Sequence, residues 1–229
     1  PFKQWKKGIE LSSGDLIWIA ESDDWSELNF LESCIPYFES EQVGMVMAAS
    51  TYVDFNDQIL GEAPTDCPPG FYYGPHFVRN HMYFQNQILN ASAVIFRKSY
   101  VNYSILDRIG EYRLSGDHLF WSSLMRDCNC VILEDYLNFF RWHDQSVRNQ
   151  ELKKLTGLKE GIKIKLWLEE QFEIDRKDKT RARKEAYLNY FKFLNHNPNS
   201  KNWNEFFEIS SFFSPTDRFK AVIRFVLFS

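Results

Sequence analysis

The sequence predicts an α/β protein with a helical C-terminal region, and three observations carry that prediction. Short apolar runs of strand length (LIWIA, GMVMAAS, SAVIFR) recur along the first 147 residues, separated by stretches with apolar residues at helical spacing. From about residue 148 the chain becomes charged and helix-favouring. The run LIWIA ends directly in Glu21, Asp23 and Asp24. Acids following a buried strand mark the edge where open α/β sheets bind ligands.

The elements follow in order. Phe2, Trp5 and Ile9 lie at helical spacing, with Gly14 as the stop. LIWIA is expected as a strand of a parallel sheet. Ser26 is a candidate N-cap for a helix over ELNFLESCIPYF whose apolar side is Leu28, Leu31 and Ile35, with Pro36 near its end. Residues 44–50 form a second strand. Residues 54–75, with three prolines in APTDCPPG, are expected as a long loop. GPHFVRNHMYFQN is helical, with Phe77, His81 and Phe84 on one side, and residues 92–97 make a third strand. A helix begins near Asp117, residues 131–133 and 137–143 make a fourth and a fifth strand, and PTDRFKAVIRFVLF is a last helix.

Composition narrows the function classes. Aromatic residues make up 17% of 229, which leans weakly toward a binding role. The net charge of -4 argues against a dedicated nucleic-acid binder. No apolar run approaches the roughly 20 residues that span a bilayer, and PFKQWKKGIEL is too polar for a signal peptide. Cys34, Cys67, Cys128 and Cys130 form no C-x-x-C pair and read as reduced thiols. Cys128 and Cys130 would share one face of a strand.

Clustered carboxylates need compensation, from a divalent cation, a helix N-terminus or solvent. Asp oxygens are hard donors suited to Mn²⁺ or Mg²⁺, and one or two of them plus a bound diphosphate complete an octahedron. The competing reading makes Asp24 and Glu27 helix-end acids on the macrodipole. Asp117 on its own reads as a helix cap after Gly116.

The motifs together resemble family 2 glycosyltransferases of the GT-A fold. The run W-x-x-G-I-x-x-S-x-G-D-L-I-W-I-A-E-S-D-D-W, Trp5 to Trp25, is similar to that family's helix, strand and acidic D-x-D-D-type motif. NASAVIFRKS (90–99), LSGDHLFW (114–121) and LNFFRWHDQSV (137–147) resemble its later strand, its catalytic segment and its Y-R-x-H-x-x-S motif, in the family's order. The resemblance covers residues 3–147. It implies a GT-A-like (Rossmann-like) mixed sheet flanked by helices and incomplete at the N-terminus. Residues 1–147 would be the C-terminal two-thirds of the glycosyltransferase domain and residues 148–229 a helical region, the chain being part of a longer protein.

The resemblance also implies roles. Glu21 stands where the family has the first acid of its motif, beside the nucleotide. Asp23 matches the metal-binding acid and Asp24 is its neighbour, either of the two coordinating Mn²⁺ or Mg²⁺. Asp117 matches the general base, with Gly116 where many relatives carry Glu. Arg141 and His143 match positions near the diphosphate. The activity implied is inverting hexosyl transfer from a UDP- or GDP-type nucleotide sugar to a glycan or lipid-linked acceptor, as in bacterial surface polysaccharide synthesis. No nucleic-acid partner is expected. The location implied is the cytoplasm or the inner face of its membrane. Trp25 and Trp142 are candidates for sugar contact, with core packing as the alternative, and the PPGFYYG segment (68–74) is a candidate for shaping the acceptor site. The apolar side of the last helix (Phe219, Val222, Ile223, Val226, Leu227) is expected on the protein's own core, a peripheral membrane contact through residues 216–228 being the alternative. The competing functional readings are a non-catalytic carbohydrate- or nucleotide-binding module on the same fold, and a structural interaction domain whose acids are caps.

Overall fold

The structure is a computed structural model that describes residues 1–63, 67–142 and 155–227. The chain divides into two compact units, Pro1–Val147 and Arg148–Ser229. The first is mixed α/β. Among its described residues seven strands form one sheet: β1 (Leu16–Trp18), β2 (Trp25–Ser26), β3 (Val43–Val53), β4 (Ile59–Glu62), β5 (Gly70–Tyr72), β6 (Val94–Arg97) and β7 (Asn129–Arg141). The order is β1-β6-β3-β7-β2, with β4 added to β3 and β5 to β7.

Among the described residues, only β3 and β7 pair in parallel. β1 pairs antiparallel with β6, correcting the parallel strand expected from LIWIA. A three-residue apolar run has no feature that distinguishes the two ladders. The fourth and fifth strands expected at 131–133 and 137–143 are one strand, β7. Its pairing to β3 jumps from Met47↔Ile132 to Ala49↔Tyr136, so the polar Glu134-Asp135 is a bulge, not a turn. The stretch 54–75 is not all loop, since it supplies β4 and β5.

Helices cover both faces of this sheet. Successive residues of a strand face opposite ways, and β6 shows the division. Ile95 joins the core under α2 (Phe30–Cys34), with Cys34, Phe38, Val46 and Val131. Phe96 turns the other way, meeting Phe120 and Trp121 of α5 (Gly116–Leu124) at ring-centroid distances of 5.4 and 5.5 Å. Trp5 of α1 (Phe2–Leu11) closes the cluster, 5.7 Å from Trp121. Each such fully buried aromatic contributes about 1.5–3 kcal/mol over its exposed state. Phe2, Trp5 and Ile9 are the buried face of α1, at the expected spacing. The helix expected from Ser26 starts later, at Phe30, because Ser26 pairs with Asn138 in β2. Its buried residues are accordingly Phe30 and Cys34, while Leu28, Leu31 and Ile35 are exposed.

All four cysteines are free and buried. Burial pushes the Cys34 and Cys128 thiols up to about 12, so both stay protonated. Cys128 precedes β7 and does not share a strand face with Cys130.

The second unit holds helices Thr156–Gln171, Arg176–His196, Trp203–Ser210 and Pro215–Leu227. Tyr190, Phe206 and Phe225 are its aromatic centre, with Phe206 and Phe225 stacked at 4.4 Å. No helix among the described residues is long and apolar enough to cross a membrane.

Candidate functional site

β1, β3 and β7 run in one direction, so their C-terminal ends meet at one edge of the sheet. The acids follow β1, and Arg141 ends β7 at the same edge. α5 runs back toward the start of β7, which brings its first turn, with Asp117, to that edge as well.

A tight turn carries the acids, closed by the Asp24 N–H donating to the Glu21 carbonyl at 3.2 Å. Ser92, in the short turn that leads into β6 and 2% exposed, holds this turn from below. Its Oγ accepts from the Glu21 N–H at 2.9 Å and donates to Asp24 Oδ2 at 2.9 Å. Asp24 Oδ1 accepts from the backbone N–H of Arg141 at 3.0 Å. The Arg141 side chain completes a clasp. Its Nε donates to the Asp23 carbonyl at 3.0 Å, Nη1 to the Asp54 carbonyl at 2.5 Å, and Nη2 pairs with Asp57 at 2.6 Å. The guanidinium also lies 5.1 Å from the Trp25 ring, which stacks on Phe139 across β2 and β7.

Beneath the turn is a buried polar network that sequence reasoning missed. Asn138 Oδ1 accepts from Ser50 Oγ at 3.0 Å and from Asn90 Nδ2 at 2.7 Å. Its Nδ2 donates to the Trp25 carbonyl at 3.2 Å. Asn90 Oδ1 in turn accepts from the Ser92 N–H at 3.0 Å. A chain of amides thus runs from the middle of the sheet to the acids. The one signal in the sequence was the presence of polar Asn90, Ser92 and Asn138 inside apolar stretches. Buried polar groups need partners, but a sequence does not show which ones they find.

Asp117 is half-buried, and its Oδ2 accepts from Asn86 Nδ2 at 2.8 Å. Asn86 is fixed by the Ile88 N–H donating to its Oδ1. Gly116 has a packing reason. A Cβ there would sit 2.7 Å from the Phe2 ring and 3.0 Å from the Ile109 carbonyl, so a Glu at this place would displace α1. His118 is buried, its Nε2 2.7 Å from the Met82 carbonyl, a structural contact. His81 packs on Phe77 at 5.1 Å, and burial holds its imidazole below the ordinary value. His143 lies outside the described residues. Trp142 rests edge-on against Tyr52 at 5.3 Å. Of the PPGFYYG segment, β5 pairs with Cys130–Ile132 at the start of β7, at the other end of that strand from Arg141.

Crowding of the carboxylates has a measurable consequence. Burial first, and then the charges of Asp24, Asp23 and Asp117, together push the Glu21 carboxyl up to about 7. Burial likewise raises Asp24, opposed by its bonds from the Arg141 N–H and Ser92. The folded protein therefore holds the Glu21 proton more tightly than the unfolded chain does. Its stability contribution is full below the unfolded value near 4.5 and is lost as pH rises to about 7. Glu21→Gln cannot ionise. In urea unfolding without divalent metal it is expected to match the parent below about pH 4.5 and to exceed it above about pH 8, by at most about 3 kcal/mol and less in proportion to residual solvent contact. Equal stabilities at both pH values would mean that Glu21 titrates normally.

For a divalent cation the test is which carboxylates reach solvent. No group of three or more His, Cys, Asp or Glu among the described residues is assembled to hold an ion. Asp24 commits both oxygens to Ser92 and Arg141, whereas Asp23 is exposed. This donor set suits an ion shared between Asp23 and a ligand diphosphate, as Mg²⁺ commonly is, and not an all-protein cage. A cleft of about 660 Å³ leads to it. α1 (Gln4, Trp5, Gly8) forms one wall and Leu16–Asp23 the other, with Glu21 and Asp23 at its end.

A mixed sheet flanked by helices, with its acids at the C-terminal edge, is a glycosyltransferase-like fold. Two solved structures of S. aureus TarS, residues 1–349, share it. The one in complex with UDP-GlcNAc matches with a TM-score of 0.57 and 11% identity over 97% of this chain and 62% of that one. A second matches with a TM-score of 0.53 and 12% identity over 97% of this chain and 60% of that one. The chain therefore spans less than two thirds of the TarS chains it matches. No protein-family model and no curated protein matches the sequence.

Proposed function

We propose that the protein is a family 2 glycosyltransferase of the GT-A type that moves a sugar from a nucleotide donor to a glycan or lipid-linked acceptor with inversion. The observation that carries this reading is the approach of Asp117, remote in sequence, to Glu21, Asp23 and Asp24, beside a cleft whose lining includes Glu21 and Asp23. The UDP-GlcNAc held by TarS supports a UDP-type donor over a GDP-type one.

Asp117, oriented by Asn86, takes the proton from an acceptor hydroxyl as that oxygen bonds to the anomeric carbon. The bond from that carbon to the nucleoside diphosphate breaks in the same displacement. Asp23, set by Asp24 as a brace, would hold Mn²⁺ or Mg²⁺, which would supply positive charge against the leaving diphosphate. Glu21 borders the nucleotide end of the cleft. Arg141 meets the diphosphate by exchanging its pair with Asp57, whose side chain is 65% exposed. This reading places the protein in the cytoplasm, in the assembly of a surface polysaccharide.

The test is thermal melting with Mn²⁺ and a panel of nucleoside diphosphates. A ligand at about 100 times its dissociation constant adds roughly 2.7 kcal/mol. The expected result is a rise in Tm that needs metal and nucleotide together, is largest with UDP and disappears in Asp23→Asn. If the chain responds to none of these combinations, the glycosyltransferase reading is wrong.

A further inference from the structure

The last helix, Pro215–Leu227, turns its smaller apolar face inward. Ala221 and Phe225 are fully buried, Phe225 stacked on Phe206. Phe219 is 69% exposed, and Val222, Ile223 and Val226 are 41%, 49% and 50% exposed. The core packing expected from the sequence is thus made by other residues. The four exposed side chains follow the spacing of three and four residues that forms one stripe along a helix. A single exposed apolar residue needs no explanation, but a continuous row of four marks an interaction surface.

Charge indicates what kind of surface it meets. Arg218 and Lys220 are also exposed, and each adjoins Phe219 in sequence. At roughly 100° per residue, one lies on either side of the stripe. The helix's acid, Asp217, accepts from Ser214 Oγ at 2.7 Å, on the side turned away from the stripe. An apolar row with a cation on each flank suits a plane of anionic headgroups over acyl chains, where Lys and Arg stems extend upward to phosphates. A second copy of the chain suits it less, because self-pairing through the stripe would bring like cations together.

We propose that this helix lies in the surface of a membrane containing anionic lipid. Phe219, Val222, Ile223 and Val226 enter the boundary between headgroups and acyl chains, and Arg218 and Lys220 meet lipid phosphates. The contact is peripheral and is independent of the catalytic reading.

Sedimentation of the whole chain with vesicles tests it, since no donor or acceptor is needed. The chain is expected to pellet with phosphatidylcholine vesicles containing phosphatidylglycerol and to bind pure phosphatidylcholine at least about tenfold more weakly, each basic residue adding to the attraction. The double variant Phe219→Ser with Ile223→Ser should lose about tenfold or more in binding to both vesicles while melting as the parent does, its changed side chains being exposed. Arg218→Glu with Lys220→Glu should erase the preference for the anionic vesicle. Equal binding by parent and Ser variant overturns the proposal. So does an absence of vesicle binding together with a dimer, seen by light scattering, that the Ser variant abolishes; in that case the stripe joins two copies.

Discussion

Replacing Asp117 by Asn is expected to reduce sugar transfer by about 10²–10⁴-fold, the usual contribution of a positioned general base. The substitution is mild in every other respect. Asn keeps an acceptor oxygen for Asn86 and a similar volume in the first turn of α5. It removes one negative charge near Glu21, so folding should be unharmed or slightly improved. The loss should fall on kcat, with the Tm response to Mn²⁺ and nucleoside diphosphate preserved. Transfer assays of parent and variant at matched donor saturation check this. Activity within a few-fold of the parent would remove Asp117 from the chemistry, and loss of the Tm response would reassign it to donor binding.

Asn138→Ala carries the largest expected effect on stability, about 2–4 kcal/mol in urea unfolding. Asn138 is fully buried and makes four side-chain bonds, two accepted by Oδ1 and two donated by Nδ2, the weakest to Ser26 Oγ at 3.4 Å. Alanine would leave the Ser50 hydroxyl, the Asn90 amide and the Trp25 carbonyl short of partners in a dry interior, and an unmade buried hydrogen bond costs more than a made one contributes. The effect should reach the site, because Asn90 orients Ser92 and Ser92 holds both Glu21 and Asp24. A smaller nucleotide-dependent rise in Tm should accompany the lower stability. A destabilisation under about 1 kcal/mol would show that the amide network is replaceable by water.

The metal expectation sharpens by the same route. From the sequence, Asp23 and Asp24 are interchangeable neighbours. Their difference comes from Ser92 and the Arg141 backbone, which bind both carboxylate oxygens of Asp24, whereas Asp23 is exposed. Asp24→Ala and Asp23→Ala should therefore differ in kind, the first loosening the turn and the second lowering only the response to metal.

The sequence by itself determined the strand-forming runs, the buried face of α1, the start of α5 beside Asp117 and the change of character near residue 148. Each is written locally, in periodicity, in turn residues or in composition, and local signals survive without a partner. It also marked the acids, because charge directly after an apolar run is visible in one dimension. Tertiary structure alone decided how the strands pair, that 131–133 and 137–143 are one bulged strand, and that Ser26 belongs to the sheet. It alone placed Asn86, Ser92 and Asn138 under the acids and turned Phe219, Val222, Ile223 and Val226 outward. These are pairwise facts. A hydrogen bond between Asn90 and Asn138, or a helix face left uncovered, depends on which distant residue arrives opposite, and no property of either residue alone states it.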